Sequence, residues 1–175
     1  MSEQDIAGFG TARLVDLFSF AAERGAMAGE TPVMAFGRLA DQLAERGGSV
    51  RWRLRGELDA DGRPRLTVEV SGELALRCQR CLAALQQPLA IAAVLQPVRP
   101  GEALPENELE NDDVDAIEVD GEVDALSLVE DEILLALPIA PRHEDCGAPR
   151  RTETDEGAGG KSPFAVLAGL RGRNG

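Results

Sequence analysis

At 175 residues and 43% hydrophobic composition, the chain has enough apolar content for one domain with a buried core. Aromatics make up only 3% and there is no Tyr, so that core must be built mainly of Leu, Val, Ala and Ile. The net charge of −13 argues against a surface given over to binding phosphates.

The charge is unevenly spread. Residues 1–100 hold twelve Arg and twelve Asp/Glu and are neutral, residues 101–160 carry a net −16, and residues 161–175 are +3. The acidity is therefore one block. The opening MSEQDIAGFG has neither a basic nor an apolar segment of the kind that directs export. The longest apolar run, residues 89–95, is far too short to span a bilayer. Three cysteines, two of them as Cys-x-x-Cys, suit a reducing compartment better than a disulfide framework. These features together predict a cytoplasmic protein.

In chain order, residues 9–23 read as a short extended piece leading into a helix. Leu17, Phe18, Ala21 and Ala22 lie at helical spacing, with Gly25 placed to close it. AGETP reads as a break before a second helix over about 34–46, with Met34, Phe36, Leu39 and Leu43 on one face. Val50, Trp52 and Leu54 then alternate with Arg51, Arg53 and Arg55, the period of a strand with one buried face. A turn centred on Asp61-Gly62 follows. Leu66, Val68, Val70, Leu74, Leu76 and Cys78 all fall on even positions, a long strand in which Gly72 suggests a bulge. Residues 87–98 read as a third strand, so an antiparallel meander is predicted over about 49–98.

From Pro100 the chain turns acidic and loop-like, with one short strand or turn in DAIEVDGEVD. Residues 126–137 carry Leu128, Ile133, Leu134 and Leu137 at helical spacings, with Asp131 and Glu132 on the outer face and Pro138 as terminator. Residues 147–160 read as a linker. Ser162-Pro163 starts a short amphipathic helix with Phe164, Leu167 and Leu170 on one stripe. The expected organisation is one α+β domain over 1–146, with two N-terminal helices, a sheet over 49–98, an acidic loop over 100–125 and a helix over 126–137. A linker over 147–160 and a C-terminal motif over 161–175 follow.

Cys78, Cys81, His143 and Cys146 are the only cysteines and the only histidine in the chain. Each pair has a two-residue gap, which lets both members reach one ion, so the four residues are a candidate Cys-Cys-His-Cys site for Zn2+. Two other readings stay open: Cys78 as a core residue with the rest incidental, and a dithiol oxidoreductase. Redox Cys-x-x-Cys sites sit at a helix N-terminus, and the stretch from Leu82 to Pro88 is too short for a helix before the next strand. The sequence carries no glycine-rich phosphate loop and no nucleophile elbow, so no enzyme and no small-molecule substrate is predicted. Arg51, Arg53 and Arg55, with Arg77 and Arg80 beside the cysteines, are candidate RNA contacts. The bland reading of the same arginines is a solvated strand face paired with acids. The acidic block supports an alternative, an adaptor or chaperone for a basic ribosomal protein or RNA-processing factor.

Three stretches, LRCQRCL at 76–82, SLVEDEILLALPIAPRHEDC at 127–146 and KSPFAVLAGL at 161–170, together resemble the bacterial YceD family, the large ribosomal RNA subunit accumulation proteins. The resemblance implies a non-enzymatic factor supporting synthesis, processing or stability of large-subunit (23S) ribosomal RNA. Its partner would be that RNA or its precursor, contacted directly or through a protein. The motif positions it singles out are Cys78, Gln79, Arg80 and Cys81, then Glu130, Asp131 and Glu132, then His143 and Cys146, and finally Pro163 and Phe164. Of these, Glu130, Asp131, Glu132, Pro163 and Phe164, together with Leu167, are candidate partner contacts. Ser162 stands where the family often has Asn, and both residues cap helices.

Overall fold

The computed structural model describes residues 14–102 and 114–146. In chain order these form β1 (Leu14–Val15), α1 (Leu17–Ala22), β2 (Ala26–Pro32), two 3-10 turns (Val33–Ala35 and Arg38–Asp41), β3 (Ser49–Leu58), β4 (Pro64–Arg77), β5 (Ala84–Val98), β6 (Asp115–Glu118), β7 (Val123–Asp124) and α2 (Ala125–Ala136). A five-stranded sheet has the order β2-β3-β4-β5-β6, antiparallel except for the parallel β5–β6 pair, and β1 pairs separately with β7. The architecture is α+β, as the sequence predicts.

Strand alternation divides the sheet into two faces. Val50, Trp52 and Leu54 of β3, with Leu66, Val68, Val70, Leu74 and Leu76 of β4, are buried on one face. Arg51, Arg53 and Arg55 are exposed on the other. The buried face is covered by α1 through Leu17 and Ala21, by the 3-10 region through Val33, Phe36, Leu39 and Leu43, and by α2 through Val129 and Ile133. Burying this much Leu and Val is the main favourable term in folding, at roughly 1.5–3 kcal/mol per fully buried side chain.

β4 and β5 make the longest pairing, from Leu66↔Leu95 to Arg77↔Ala84. The register runs unbroken through Gly72, which faces Val50 on one side and Leu89 on the other, so there is no bulge. A Cβ at Gly72 would lie 2.8 Å from Val50 Cγ1, and glycine is there to allow that close approach.

The N-terminal half departs from the sequence reading. The predicted helix over 34–46 is absent. Its residues instead form parts of two 3-10 turns and an irregular stretch, and AGETP lies within the edge strand β2. Val33, Phe36, Leu39 and Leu43 are buried at spacings of three and four, which 3-10 turns satisfy as well as an α-helix does, whereas Met34 is exposed. A distant partner also fixes the second turn: Glu130 accepts from Arg38 N–H at 2.6 Å and from Leu39 N–H at 3.2 Å.

Helix α1 starts on the Asp16 cap, which accepts from Phe18 and Ser19 N–H. It closes with Arg24, not Gly25, in the left-handed conformation (φ 52°), while Gly25 N–H bonds back to Phe20 O at 2.8 Å. Helix α2 begins on Asp124 and is stopped before Pro138. Glu132 is buried, not on the outer face, with Asp115 of β6 near enough for its charge to act on the Glu132 carboxyl. After α2, residues 137–146 form a strap that returns to the β4–β5 hairpin. The proposed linker 147–160, the motif 161–175 with Pro163, Phe164 and Leu167, and residues 103–113 of the acidic loop lie outside the described residues, while the rest of the predicted loop holds the short strands β6 and β7.

Candidate metal centre

The tip of the β4–β5 hairpin is built to hold two cysteines side by side. Leu43 bridges to Leu76, and Arg77 N–H bonds to Gln42 O at 2.9 Å, so the end of β4 is supported on the side that β3 leaves vacant. Cys78 N–H bonds to Ala83 O and Leu82 N–H to Cys78 O, both at 2.9 Å, closing a tight loop. Leu82 takes a left-handed conformation (φ 62°) to turn the chain. Arg80 N–H points at Cys78 Sγ from 3.5 Å.

The strap delivers the other two ligands. Gln79 N–H bonds to Pro141 O at 2.8 Å, which fixes the strap against the tip just before His143. His143 Nδ1 then lies 3.4 Å from Cys81 Sγ and 3.9 Å from Cys146 Sγ, and Cys78 and Cys146 Sγ are 3.5 Å apart. All four ligand atoms lie within 4.8 Å of one another. A tetrahedral zinc ion with Zn–S about 2.3 Å and Zn–N about 2.0–2.1 Å sets its ligand atoms about 3.5–3.8 Å apart. The donor set and its spacing therefore fit such an ion.

The outer contacts fit as well. His143 Nε2 lies 3.0 Å from Ala84 O and donates to it, which leaves Nδ1 as a lone pair facing the sulfurs. Burial pushes the Cys78 thiol up, but the N–H groups of Cys81, Arg80 and His143 and the Cys146 thiol outweigh it and bring it down to about 5. Cys146 is pushed up to about 11 by burial and by the sulfurs of Cys78 and Cys81. Cys78 thus readily takes the thiolate form that a metal ion requires of its ligands. Four protein ligands would leave no open position on a tetrahedral ion, which is the arrangement of a structural site. All three cysteines are free thiols, Cys78 and Cys81 at the hairpin turn and Cys146 on the strap.

The other predicted site residues fall in separate places. Arg51, Arg53, Arg55 and Arg77 share the open face of the sheet, but Arg51 lies opposite Ser71, six residues before Arg77. That is about 20 Å at about 3.3 Å per residue. Arg53 is paired with Glu69 at 3.8 Å, and Arg51 sits across from Glu30, so this face is mixed in charge. Arg80 is on the hairpin tip. Glu130 is 7% exposed and takes hydrogen bonds from Arg38, and Asp131 pairs with the same guanidinium, so both have partners inside the fold. Burial raises the Glu132 carboxyl above its usual range, and the charges of Asp115 and Asp131 raise it further. Arg142, exposed on the strap beside His143, was not among the residues predicted. Its only signal in the sequence is its position next to a ligand.

Fold and site together define an α+β protein in which the β4–β5 hairpin and the strap after α2 bring four potential metal-binding residues together. The family model described as large ribosomal RNA subunit accumulation protein YceD matches residues 66–171, and the chain belongs to this family. A relative of that name from Haemophilus influenzae is 34% identical over 115 residues, covering 59% of this chain and 63% of the relative. The chain therefore spans a little under two thirds of that relative's length. No solved structure matches.

Proposed function

We propose that this protein supports accumulation of large-subunit (23S) ribosomal RNA in the cytoplasm, by binding the RNA or its precursor rather than by catalysing a reaction. The observation that carries the reading is the family match, which runs from β4 through the metal centre and α2 into the C-terminal segment. Two features support binding. The four-ligand centre has the closed form of a structural site, with Zn2+ as the ion its donors suit best. The exposed arginines on the open face and hairpin tip supply groups that pair with phosphates. Among the described residues no helix is long and apolar enough to cross a membrane.

The test is affinity purification from cells with and without RNase, identifying both RNA and protein. Recovery of precursor large-subunit RNA, with RNase removing the other components, is the expected result. If basic ribosomal proteins instead stay bound after RNase and are lost on deleting 103–113, which leaves β6, β7 and α2 in place, the acidic block is the working surface and RNA contact is overturned.

A further inference from the structure

Two segments far apart in the chain meet at the metal centre, and each carries arginine. Arg80 lies at the hairpin tip, Arg77 ends β4 beside it on the open face of the sheet, and Arg142 is on the strap; all three are exposed, and none has an ion pair among the described residues. Residue 142 is held from both sides, by the Gln79 N–H to Pro141 O bond at 2.8 Å and by His143 Nε2 to Ala84 O at 3.0 Å. Beyond α2 these are the described hydrogen bonds that tie the strap to the sheet, apart from contacts to the sulfurs. The strap also leaves Ile139 fully exposed. Besides these bonds, only Pro141 and Cys146 are buried among residues 138–146.

We propose that Zn2+ at Cys78, Cys81, His143 and Cys146 assembles an RNA-phosphate contact by pinning Arg142 beside Arg77 and Arg80. This rests on the RNA-binding reading above and adds that part of the binding is metal-dependent. Glu144 and Asp145 follow on the same strap, so the contact is confined to the three arginines and does not extend along the loop. The arginines of β3 belong to a part of the sheet that the strap does not touch, and they serve as a metal-independent internal control. An ion with three thiolates and one neutral imidazole leaves the centre at net −1, which favours cations close by.

The experiment uses the full chain, zinc-loaded or chelator-treated, and a fluorescein-labelled single-stranded RNA 20-mer read by anisotropy across salt. Each phosphate contact contributes about 0.7 to the slope of log K against log salt for single strands. The loaded protein should show a slope steeper by about 0.7 to 2 than the chelated one. Hydrogen exchange of the amides at 138–146 should quicken on chelation. Arg142→Ala should keep one metal per chain yet lose about 0.7 of the slope, which separates the arginine from any general unfolding. Equal slopes with and without metal, and with Arg142→Ala, would overturn the inference while leaving RNA binding through β3 intact. Failure of the four ligands to retain metal would also overturn it. Absence of RNA binding in every form would remove the RNA reading itself.

Discussion

Glu130 provides the sharpest test of how the fold is held together. Its carboxylate accepts from Arg38 N–H at 2.6 Å, Leu39 N–H at 3.2 Å and Arg38 Nε at 3.0 Å, and it is only 7% exposed. Glu130→Ala strands two backbone donors at the start of a 3-10 turn, one of them on a fully buried residue. At about 1–3 kcal/mol for a buried donor left unmade, and less for the part-exposed Arg38 N–H, the expected loss is about 2–4 kcal/mol. At about 2–4 °C per kcal/mol for a chain of this size, the thermal midpoint should fall by roughly 5–15 °C. Arg38→Ala removes the guanidinium but leaves both backbone bonds, so its cost should be smaller, about 1–2 kcal/mol. Asp131→Ala removes only a half-exposed ion pair and should cost at most about 1 kcal/mol. Urea and thermal unfolding of the three variants should therefore rank Glu130→Ala above Arg38→Ala above Asp131→Ala. If Asp131→Ala costs as much as Glu130→Ala, the carboxylate is not capping the turn and the reasoning fails.

Three further outcomes are expected. Glu132 has its folded pKa raised by burial and by Asp115 and Asp131, so its contribution is fully present at acid pH and declines as pH rises through that raised value. Glu132→Gln should therefore stabilise the protein at neutral pH and flatten its unfolding profile just above the ordinary carboxylate range; an unchanged profile would contradict this. Gly56→Ala places a Cβ 2.6 Å from Phe20 O and 2.7 Å from Ala21 Cα, backbone atoms that cannot yield, and should cost about 1–3 kcal/mol by pushing α1 off β3. A wild-type midpoint for that variant would mean α1 packs differently. Co2+ in place of zinc should give tetrahedral thiolate absorption, and saturating metal at about 100 times its Kd should raise stability by about 2.7 kcal/mol over the chelated form. Octahedral spectra, or no shift in the midpoint, would rule out the four-ligand geometry.

What the sequence discloses depends on how local the deciding contacts are. The arginine-apolar alternation of 50–55 and the even-numbered apolar run of 66–78 specify β3 and β4 without any other part of the chain, and the helical spacing of Leu128, Ile133, Leu134 and Leu137 does the same for α2. β2 escaped because Ala26–Pro32 has two Ala, a Gly and a Pro, with Gly29 lying against the Trp52 ring, so its strand character comes from pairing with β3 and not from its own side chains. The false helix over 34–46 has the same origin, since the residue that caps its second turn lies 92 positions away. The four soft ligands could be named from their spacing. Their convergence could not, because it depends on α2 crossing β4 and β5 to carry the strap back to the hairpin.

That long return has a consequence for how the protein is made. Cys81, the later of the hairpin pair, leaves the ribosome 62 residues before His143. At about 5–20 residues per second this is an interval of roughly 3 to 12 seconds. The meander pairs strand by strand in chain order and can form during that interval, presenting a two-thiol half-site before its other half exists. Metal caught early would be held by two ligands and open to exchange with other cellular thiols. The four residues can converge only after α2 and the strap have emerged, so metal binding there would record completion of the domain rather than start its folding.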